Sequence, residues 1–158
     1  MKGIVAFDSV YGNTKQVAEA IAEALKAKGH DVEVINLGEG SKAPVGDFMF
    51  IGSPTRIGMM TGNTKKFMKS LDVNVWKGRT VVAFDTIMAA KDPARSGKGM
   101  LIENGAGPKL KEMAEKMGLN VYPQVLRAEV AGLKGPLAPG AVEKAKAFVN
   151  EFAGTLSK

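Results

Sequence analysis

The sequence predicts an α/β fold in which a parallel β-sheet is covered by helices on both faces. Strand and helix patterns alternate about five times along the chain, which is the order that βαβ units require. The first strand, residues 3–7, is short and almost wholly apolar, as is typical of a strand buried on both faces. In such sheets, ligands bind beyond the carboxyl ends of the strands, so the loops that follow the strands are the candidate site.

The helices and the remaining strands follow from the spacing of apolar residues. In the first helix, residues 14–28, Val17, Ile21 and Leu25 fall on one face, and Gly29 has the position that ends a helix. The same spacing predicts helices over residues 64–71, 106–117 and 141–152. The other predicted strands are residues 32–35, 48–52, 80–84 and 121–130, the last of which is interrupted by Pro123.

Length and composition limit the possible functions. A chain of 158 residues predicts one domain over residues 1–158. The absence of cysteine excludes disulfides, thiolate metal sites and a cysteine nucleophile. The sequence begins directly with a strand rather than a signal peptide, and no apolar run approaches the roughly 20 residues of a membrane span. We therefore expect a cytoplasmic protein without a membrane partner.

The net charge of +6 allows two interpretations. The lysines are scattered over helical segments, and no aromatic residues alternate with them, so nucleic-acid binding is not predicted. The positive charges either keep a surface solvated or attract an acidic protein partner.

The loop after the first strand, residues 9–14, has the composition of an anion site. Ser9, Tyr11 and Thr14 carry hydroxyl donors, and Gly12 lets the backbone approach a ligand closely. The loop lacks the Gly-Lys-Ser/Thr ending of a Walker loop and the glycine pattern of dinucleotide-binding proteins, which favours a single terminal phosphate at the helix N-terminus. The alternative is a polar turn in which Asn13 or Thr14 caps the helix.

Two further loops follow strands three and four. Residues 52–63 contain Ile57, Met59 and Met60, which suit either a flat ligand that covers them or, for the methionines, gaps in the core. After strand four, residues 85–88 begin a long irregular stretch that ends near residue 105. A connection of this length is either functional or an insertion without a role.

Taken together, the three loops resemble those of flavodoxins, the short electron-transfer proteins that bind flavin mononucleotide (FMN). Ser9-Val10-Tyr11-Gly12-Asn13-Thr14 resembles the family's phosphate loop, and residues 53–59 resemble its second flavin loop. The run from Ser53 to Gly58 is also similar to the Thr-Pro-Thr-Arg-Phe-Gly run of flavodoxin-like NAD(P)H:quinone oxidoreductases. The resemblance covers essentially the whole chain and implies a doubly wound sheet of five parallel strands in the order 2-1-3-4-5.

The resemblance also implies a role for each loop. Residues 9–14 would hold the phosphate, residues 53–55 would line the ribityl chain, and Ile57 would lie against one face of the ring. Gly58 matches the glycine whose peptide can flip to accept a hydrogen bond from the reduced flavin, because glycine tolerates both conformations. The residues implied to bind FMN are Ser9, Val10, Tyr11, Gly12, Asn13, Thr14, Ser53, Pro54, Thr55, Arg56, Ile57, Gly58, Met59, Phe84, Asp85, Thr86 and Met88.

The chain departs from electron-transfer flavodoxins in two respects. Neither Ile57 nor Met59 is aromatic, whereas those proteins usually place aromatic residues on the ring. No Asp or Glu occurs between Asp47 and Asp72, whereas those proteins are acidic around the flavin. Because fewer negative charges oppose the fully reduced, anionic flavin, we predict a less negative potential for its formation than in acidic flavodoxins.

Three functions remain open at this point. The first is an electron carrier, monomeric or weakly oligomeric, that docks an acidic redox partner through Arg56, Lys65, Lys91, Arg95 and Lys98. The second is an FMN-dependent NAD(P)H:quinone oxidoreductase, although no nicotinamide-binding feature is evident. The third is an interaction module without flavin. No side chain suits acid–base catalysis, since the single histidine, His30, is expected at the surface away from the site. Redox chemistry would therefore belong to the cofactor, with no catalytic side chain and no metal.

Overall fold

The computed structural model describes residues 1–40, 44–88, 105–132 and 134–156, and a parallel sheet lies at its centre. The strands of this sheet are β1 Lys2–Phe7, β2 Asp31–Asn36, β3 Phe48–Pro54, β4 Thr80–Met88, β5 Asn120–Val121 and β6 Leu126–Val130. The helices in the described ranges are α1 Asn13–Ala27, α2 Gly62–Ser70, α3 Val73–Trp76, α4 Ala106–Lys116 and α5 Ala141–Ala153, with a 3₁₀ turn at Leu37–Glu39.

The strand order is β2-β1-β3-β4-β5, with β6 also paired to β4, and all pairs are parallel. The predicted fold class and order are therefore confirmed. The predicted fifth strand consists of two pieces, because β5 pairs with Thr80 and Val81 while β6 pairs with residues 84–88. Pro123 lies between the two pieces, as the sequence predicts.

Both faces of the sheet are buried because alternate residues of each strand face opposite sides. In β1, Val5 and Phe7 pack in a core with α1 and α5, whereas Ile4 and Ala6 pack in a second core with α2, α3 and α4. The helices lie on both faces as predicted, although the short α3, which buries Trp76, was not predicted. Within the described part of the chain, no helix is both long enough and apolar enough to span a bilayer.

Two local predictions differ from the structure. β4 continues to Met88, four residues beyond its predicted end, because Asp85 and Thr86 are buried and pair with strands on both sides. His30 is not a plain surface residue, since its ring packs edge-on against Phe48 with 5.5 Å between centroids. Its Nδ1 atom is buried without a hydrogen-bond partner among the described residues.

Candidate functional site

A pocket opens at the carboxyl ends of β1, β3 and β4, where the strand order reverses. Its volume is about 400 Å³, including the part open to solvent. The residues that line the pocket are Ser9, Val10, Tyr11, Asn13, Thr14, Pro54, Thr55, Arg56, Thr86, Met88 and Val130.

The loop between β1 and α1 forms one wall of the pocket. Gly12 turns the chain with a φ of 92°, and the Ser9 hydroxyl oxygen accepts hydrogen bonds from the N–H groups of Gly12 at 3.0 Å and Lys15 at 3.4 Å. Ser9 therefore caps the start of α1, and the predicted alternative of a cap from Asn13 or Thr14 is wrong. Because the Ser9 oxygen accepts both bonds, its hydroxyl proton remains available to a ligand.

Several donors at the floor of the pocket lack an acceptor. The backbone N–H groups of Asn13 and Thr14, in the first turn of α1, have no partner among the described residues. The hydroxyl oxygens of Thr14 and Thr86 are both buried and lie 2.8 Å apart. Only one of their two protons can lie between these oxygens, so the other is free to donate. This donor set suits an oxyanion such as a phosphate, and the N-terminal dipole of α1 adds to the attraction.

The second wall of the pocket is the segment of residues 54–61, which includes a tight hairpin turn at residues 56–59. Arg56 and Met59 exchange both backbone hydrogen bonds, at 2.8 and 3.0 Å, and the two central residues have positive φ angles of 51° for Ile57 and 72° for Gly58. Positive φ at both central positions is the geometry of a type I′ turn. It suits Gly58 but strains a β-branched residue such as Ile57, and strain of this kind clusters at functional sites.

Several large apolar side chains around the pocket are exposed to solvent. Ile57 is fully exposed, and four other large apolar side chains near it are between 42% and 49% exposed. Of the two adjacent methionines, Met60 packs against the core, whereas Met59 is open to solvent. Exposed apolar side chains at the mouth of a pocket indicate that a flat ligand or a partner covers them. The four are Val10, Tyr11, Met59 and Met88.

A buried carboxylate, Asp85, organises the pocket from below. Its oxygens accept hydrogen bonds from Arg127 Nε at 2.7 Å, Gly107 N–H at 2.8 Å and the Thr55 hydroxyl at 3.1 Å. Thr55 in turn accepts from the N–H of Ala106 at 3.0 Å. Burial raises the pKa of Asp85 above its usual value, and the attraction of Arg127 and the hydrogen bonds only partly offset this. The network joins β4, β6, the start of α4 and the second wall.

Gly107 allows this network to form. A Cβ atom at this position would lie 3.0 Å from the Asp85 carboxyl carbon and 2.6 Å from a methyl group of Val125. The backbone N–H of Gly107 reaches the carboxylate because no side chain intervenes.

The opposite end of the second wall is fixed by Asp8 and Ser53. Asp8, which is buried, accepts a hydrogen bond from the Thr61 hydroxyl and another from the Ser9 N–H. The Ser53 hydroxyl donates to the Pro54 carbonyl at 2.9 Å and its oxygen accepts from the Thr61 N–H at 3.0 Å. Both ends of the segment from residue 54 to residue 61 are thus attached to the sheet.

The structure brings most of the predicted site residues together, but not all of them in the predicted role. Ser53, Phe84 and Asp85 have no exposed surface, so their side chains support the pocket rather than line it. Phe84 belongs to the core beneath α1 and α5. Gly12, Ile57, Gly58 and Met59 shape the neighbouring turns without lining the pocket itself. Of the predicted docking residues, Lys91, Arg95 and Lys98 lie outside the described residues.

Sequence reasoning missed the segment that follows β6. Val130 lines the pocket, and the Ala131 N–H donates a hydrogen bond to the Pro136 carbonyl. The backbone of Gly135 lies directly against Asn13, since a Cβ atom there would be 2.5 Å from the Asn13 amide oxygen. The sequence could have indicated this segment, because it also follows a strand at the carboxyl edge of the sheet and contains Gly, Lys and Pro.

Two cations meet at the Tyr11 ring beside the pocket. The Arg56 guanidinium carbon is 5.7 Å from the ring centroid, and the Lys134 ammonium nitrogen is 5.9 Å from it. Both distances are within the range of cation–π attraction. Of the described residues that line the pocket, Arg56 is the only charged one.

Comparison with known proteins agrees with this geometry. A family model described as a flavodoxin domain matches residues 4–132. The chain belongs to the flavodoxin family. A flavodoxin from Aquifex aeolicus is 31% identical over 91 residues, which are 54% of this chain and 49% of that protein, so the match spans about half of that relative.

Solved flavodoxin-like structures share the fold over almost the whole chain. Oxidised flavodoxin 1 from Bacillus cereus superposes with a TM-score of 0.76 at 25% identity, covering 99% of this chain and 100% of that one. A flavodoxin-like, WrbA-like protein from Agrobacterium tumefaciens gives a TM-score of 0.70 at 19% identity, covering 97% and 95%. At that identity, the second likeness bears on the fold alone.

Proposed function

We propose that this member of the flavodoxin family binds FMN and carries electrons between redox partners. The observation that carries the proposal is a single pocket with hydrogen-bond donors at one end and exposed apolar side chains at the other. Its floor presents N–H and O–H donors without acceptors at the start of α1, and its mouth is surrounded by exposed apolar side chains. A ligand with a terminal phosphate and a flat, largely apolar ring system satisfies both ends.

Different residues of the site would bind the phosphate, the linking chain and the ring of FMN. Residues 9–14 would hold the phosphate through the free N–H groups of Asn13 and Thr14 and the hydroxyl groups of Ser9 and Thr14. Thr55, held by Asp85, would orient the chain that joins phosphate and ring. Ile57, Met59 and Met88 would keep water from the ring because their exposed apolar surfaces lie at the mouth of the pocket.

The pocket does not offer acid–base chemistry of its own. Among the described residues of its lining there is no His, Asp or Glu, and the nearby Asp8 and Asp85 are buried and hydrogen-bonded. FMN, when bound, supplies one- and two-electron redox chemistry, and the protein supplies position and electrostatics. This division supports a carrier, with no catalytic side chain.

The proposed partner is a redox protein with an acidic surface. Lys65 is exposed on α2, close to the second wall, and Arg56 lies at the pocket. Charges placed around the ligand steer a partner of opposite charge and raise the association rate more than the affinity.

A second candidate is an FMN-dependent NAD(P)H:quinone oxidoreductase. The observation in its favour is the Pro54-Thr55-Arg56-Ile57-Gly58 run, which is similar to the second flavin loop of those enzymes. The two candidates share the same pocket and cofactor and differ in the source of electrons.

The test is a titration of the full chain with FMN, followed by anaerobic stepwise reduction and a turnover assay with NADPH and a benzoquinone. We expect tight binding of FMN, long-wavelength absorbance of one-electron-reduced flavin at half reduction, and no steady NADPH consumption. Steady turnover would replace the carrier by the oxidoreductase. Failure to bind FMN would contradict both and leave an interaction module without flavin.

A further inference from the structure

We propose that Lys134 and Arg56, which both lie close to the Tyr11 ring, form a cationic clamp that selects the phosphorylated flavin over the unphosphorylated one. The inference rests on the proposed function, because it assigns residues to the phosphate end of the same pocket. It adds a fourth segment, residues 134–137, to the three loops that the sequence singles out.

The two cations are held together without an anion to balance them. Each lies within 6 Å of the same ring centroid, and among the described residues neither forms an ion pair with a carboxylate. Two cations that share one ring repel each other, and the attraction of one partly exposed ring offsets that repulsion only in part. A bound anion within reach of both cations would relieve the repulsion.

The clamp lies beside the residues proposed to hold the phosphate. Tyr11 belongs to the loop between β1 and α1, and Arg56 lines the pocket together with Ser9 and Asn13. Lys134 is adjacent to Gly135, whose backbone lies against the Asn13 side chain. Gly135 also has a φ of 96°, which other residues rarely adopt.

Among the described residues, the two buried carboxylates near the pocket form no ion pair with the clamp. Asp8 accepts hydrogen bonds from Thr61 and the Ser9 backbone, and Asp85 accepts three donors beneath the pocket. Both are fully or almost fully buried. A phosphate dianion therefore meets two positive charges in addition to the N-terminal dipole of α1, whereas an uncharged flavin alcohol gains nothing from them.

The test compares FMN with riboflavin, which differ only in the phosphate. Dissociation constants are measured by flavin fluorescence for the full chain, freed of flavin, at ionic strengths of about 0.02 and 0.5 M. The variants are Lys134→Met, Arg56→Met and the double variant. The matched control is Lys28→Met, which removes an exposed lysine at the other end of α1, roughly 22 Å away for 15 residues.

At low ionic strength, each single variant should weaken FMN binding about three-fold and the double variant about ten-fold. Riboflavin binding should change less than about two-fold, and high ionic strength should remove most of the difference. Lys28→Met should resemble the wild type, and Lys134→Arg should retain FMN affinity. Circular dichroism verifies that each variant is folded.

Three outcomes overturn the clamp while leaving FMN binding intact: equal losses for FMN and riboflavin, no loss for FMN, or the same loss in Lys28→Met. Wild-type protein that binds both flavins equally well at low ionic strength also overturns it. Wild-type protein that binds neither contradicts the proposed function as well, so the two failures are distinguishable.

Discussion

Among single residues, Ile57 is the one whose conformation and exposure both run against ordinary preferences. It is fully exposed at a φ of 51°, a conformation that asparagine and glycine adopt with much less strain. Nothing in the fold benefits from an isoleucine there, because its side chain buries no surface. The strain makes sense if the side chain meets a ligand or partner that the isolated chain lacks.

Replacing Ile57 separates stability from binding. Ile57→Asn should raise the free energy of unfolding of the flavin-free protein by about 1 kcal/mol, since Asn-Gly is the preferred sequence of a type I′ turn. The same variant should weaken FMN binding because the apolar contact is lost. Urea denaturation and flavin titration measure the two effects. Ile57→Val, which keeps the branched side chain, should leave stability unchanged; an Asn variant no more stable than the wild type would contradict the strain.

Some pocket residues could be assigned from the sequence and others could not. The hydroxyl groups of Ser9 and Thr14 could be assigned to the pocket because they are adjacent to a strand and a helix in the chain. Lys134 could not, because it reaches Tyr11 through a contact between segments more than 120 residues apart. Local patterns predict the segments that hold a ligand better than they predict which segments meet.

At the scale of secondary structure elements, Asp85 decides how the carboxyl edge of the sheet is built. Its three hydrogen bonds join β4 to β6, to the first turn of α4 and to Thr55 in the second wall. The positions of β4, β6, α4 and the second wall depend on one another, because a buried carboxylate is tolerated only where its hydrogen-bond partners are all in place.

Asp85→Asn tests this junction. An amide has one acceptor oxygen and would direct N–H groups at donors that the carboxylate now satisfies, so we expect a loss of about 2–3 kcal/mol in the free energy of unfolding. FMN binding should weaken in parallel because Thr55 is released. As control, Glu112→Gln removes the carboxylate of an exposed pair with Lys116, 2.8 Å apart, and should leave both quantities unchanged. A stable Asp85→Asn variant with normal affinity would show that Asp85 does not organise the site.

Helix ends were predicted more accurately than the end of β4. The apolar faces of α1, α4 and α5 are local features, and these helices begin and end within one residue of the predicted positions. The extension of β4 to Met88 depends on Arg127, which lies 42 residues beyond Asp85. A polar pair of residues after an apolar strand resembles a loop unless the distant partner that neutralises it is known.

For the whole molecule, the property to consider is the positive charge in and beside the pocket. Arg56 lies in the lining, Lys65, Lys66 and Lys69 are exposed on α2, and the chain carries a net charge of +6. The less negative potential expected from this charge stays a prediction. A more direct consequence is that negatively charged electron donors and acceptors should react with the protein faster than positively charged ones.

Small inorganic oxidants of opposite charge can probe this field without a known partner. Oxidation of the reduced, FMN-loaded protein by ferricyanide should slow several-fold between ionic strengths of about 0.02 and 0.5 M, because salt screens the attraction. Oxidation by hexaamminecobalt(III) should accelerate over the same range. Stopped-flow absorbance measures both rates. Rates independent of salt, or slopes of the reverse sign, would exclude a positively charged docking surface.

The divided last strand has a consequence for motion within the molecule. β5 and β6 contact β4 at separate places, with Tyr122 to Val125 between them, so each piece can break its hydrogen bonds without breaking those of the other. Thermal opening of the two-residue β5, at the amino end of the sheet, need not disturb β6 and Val130 at the pocket. We therefore expect the amino end and the binding edge of the sheet to open as separate cooperative units.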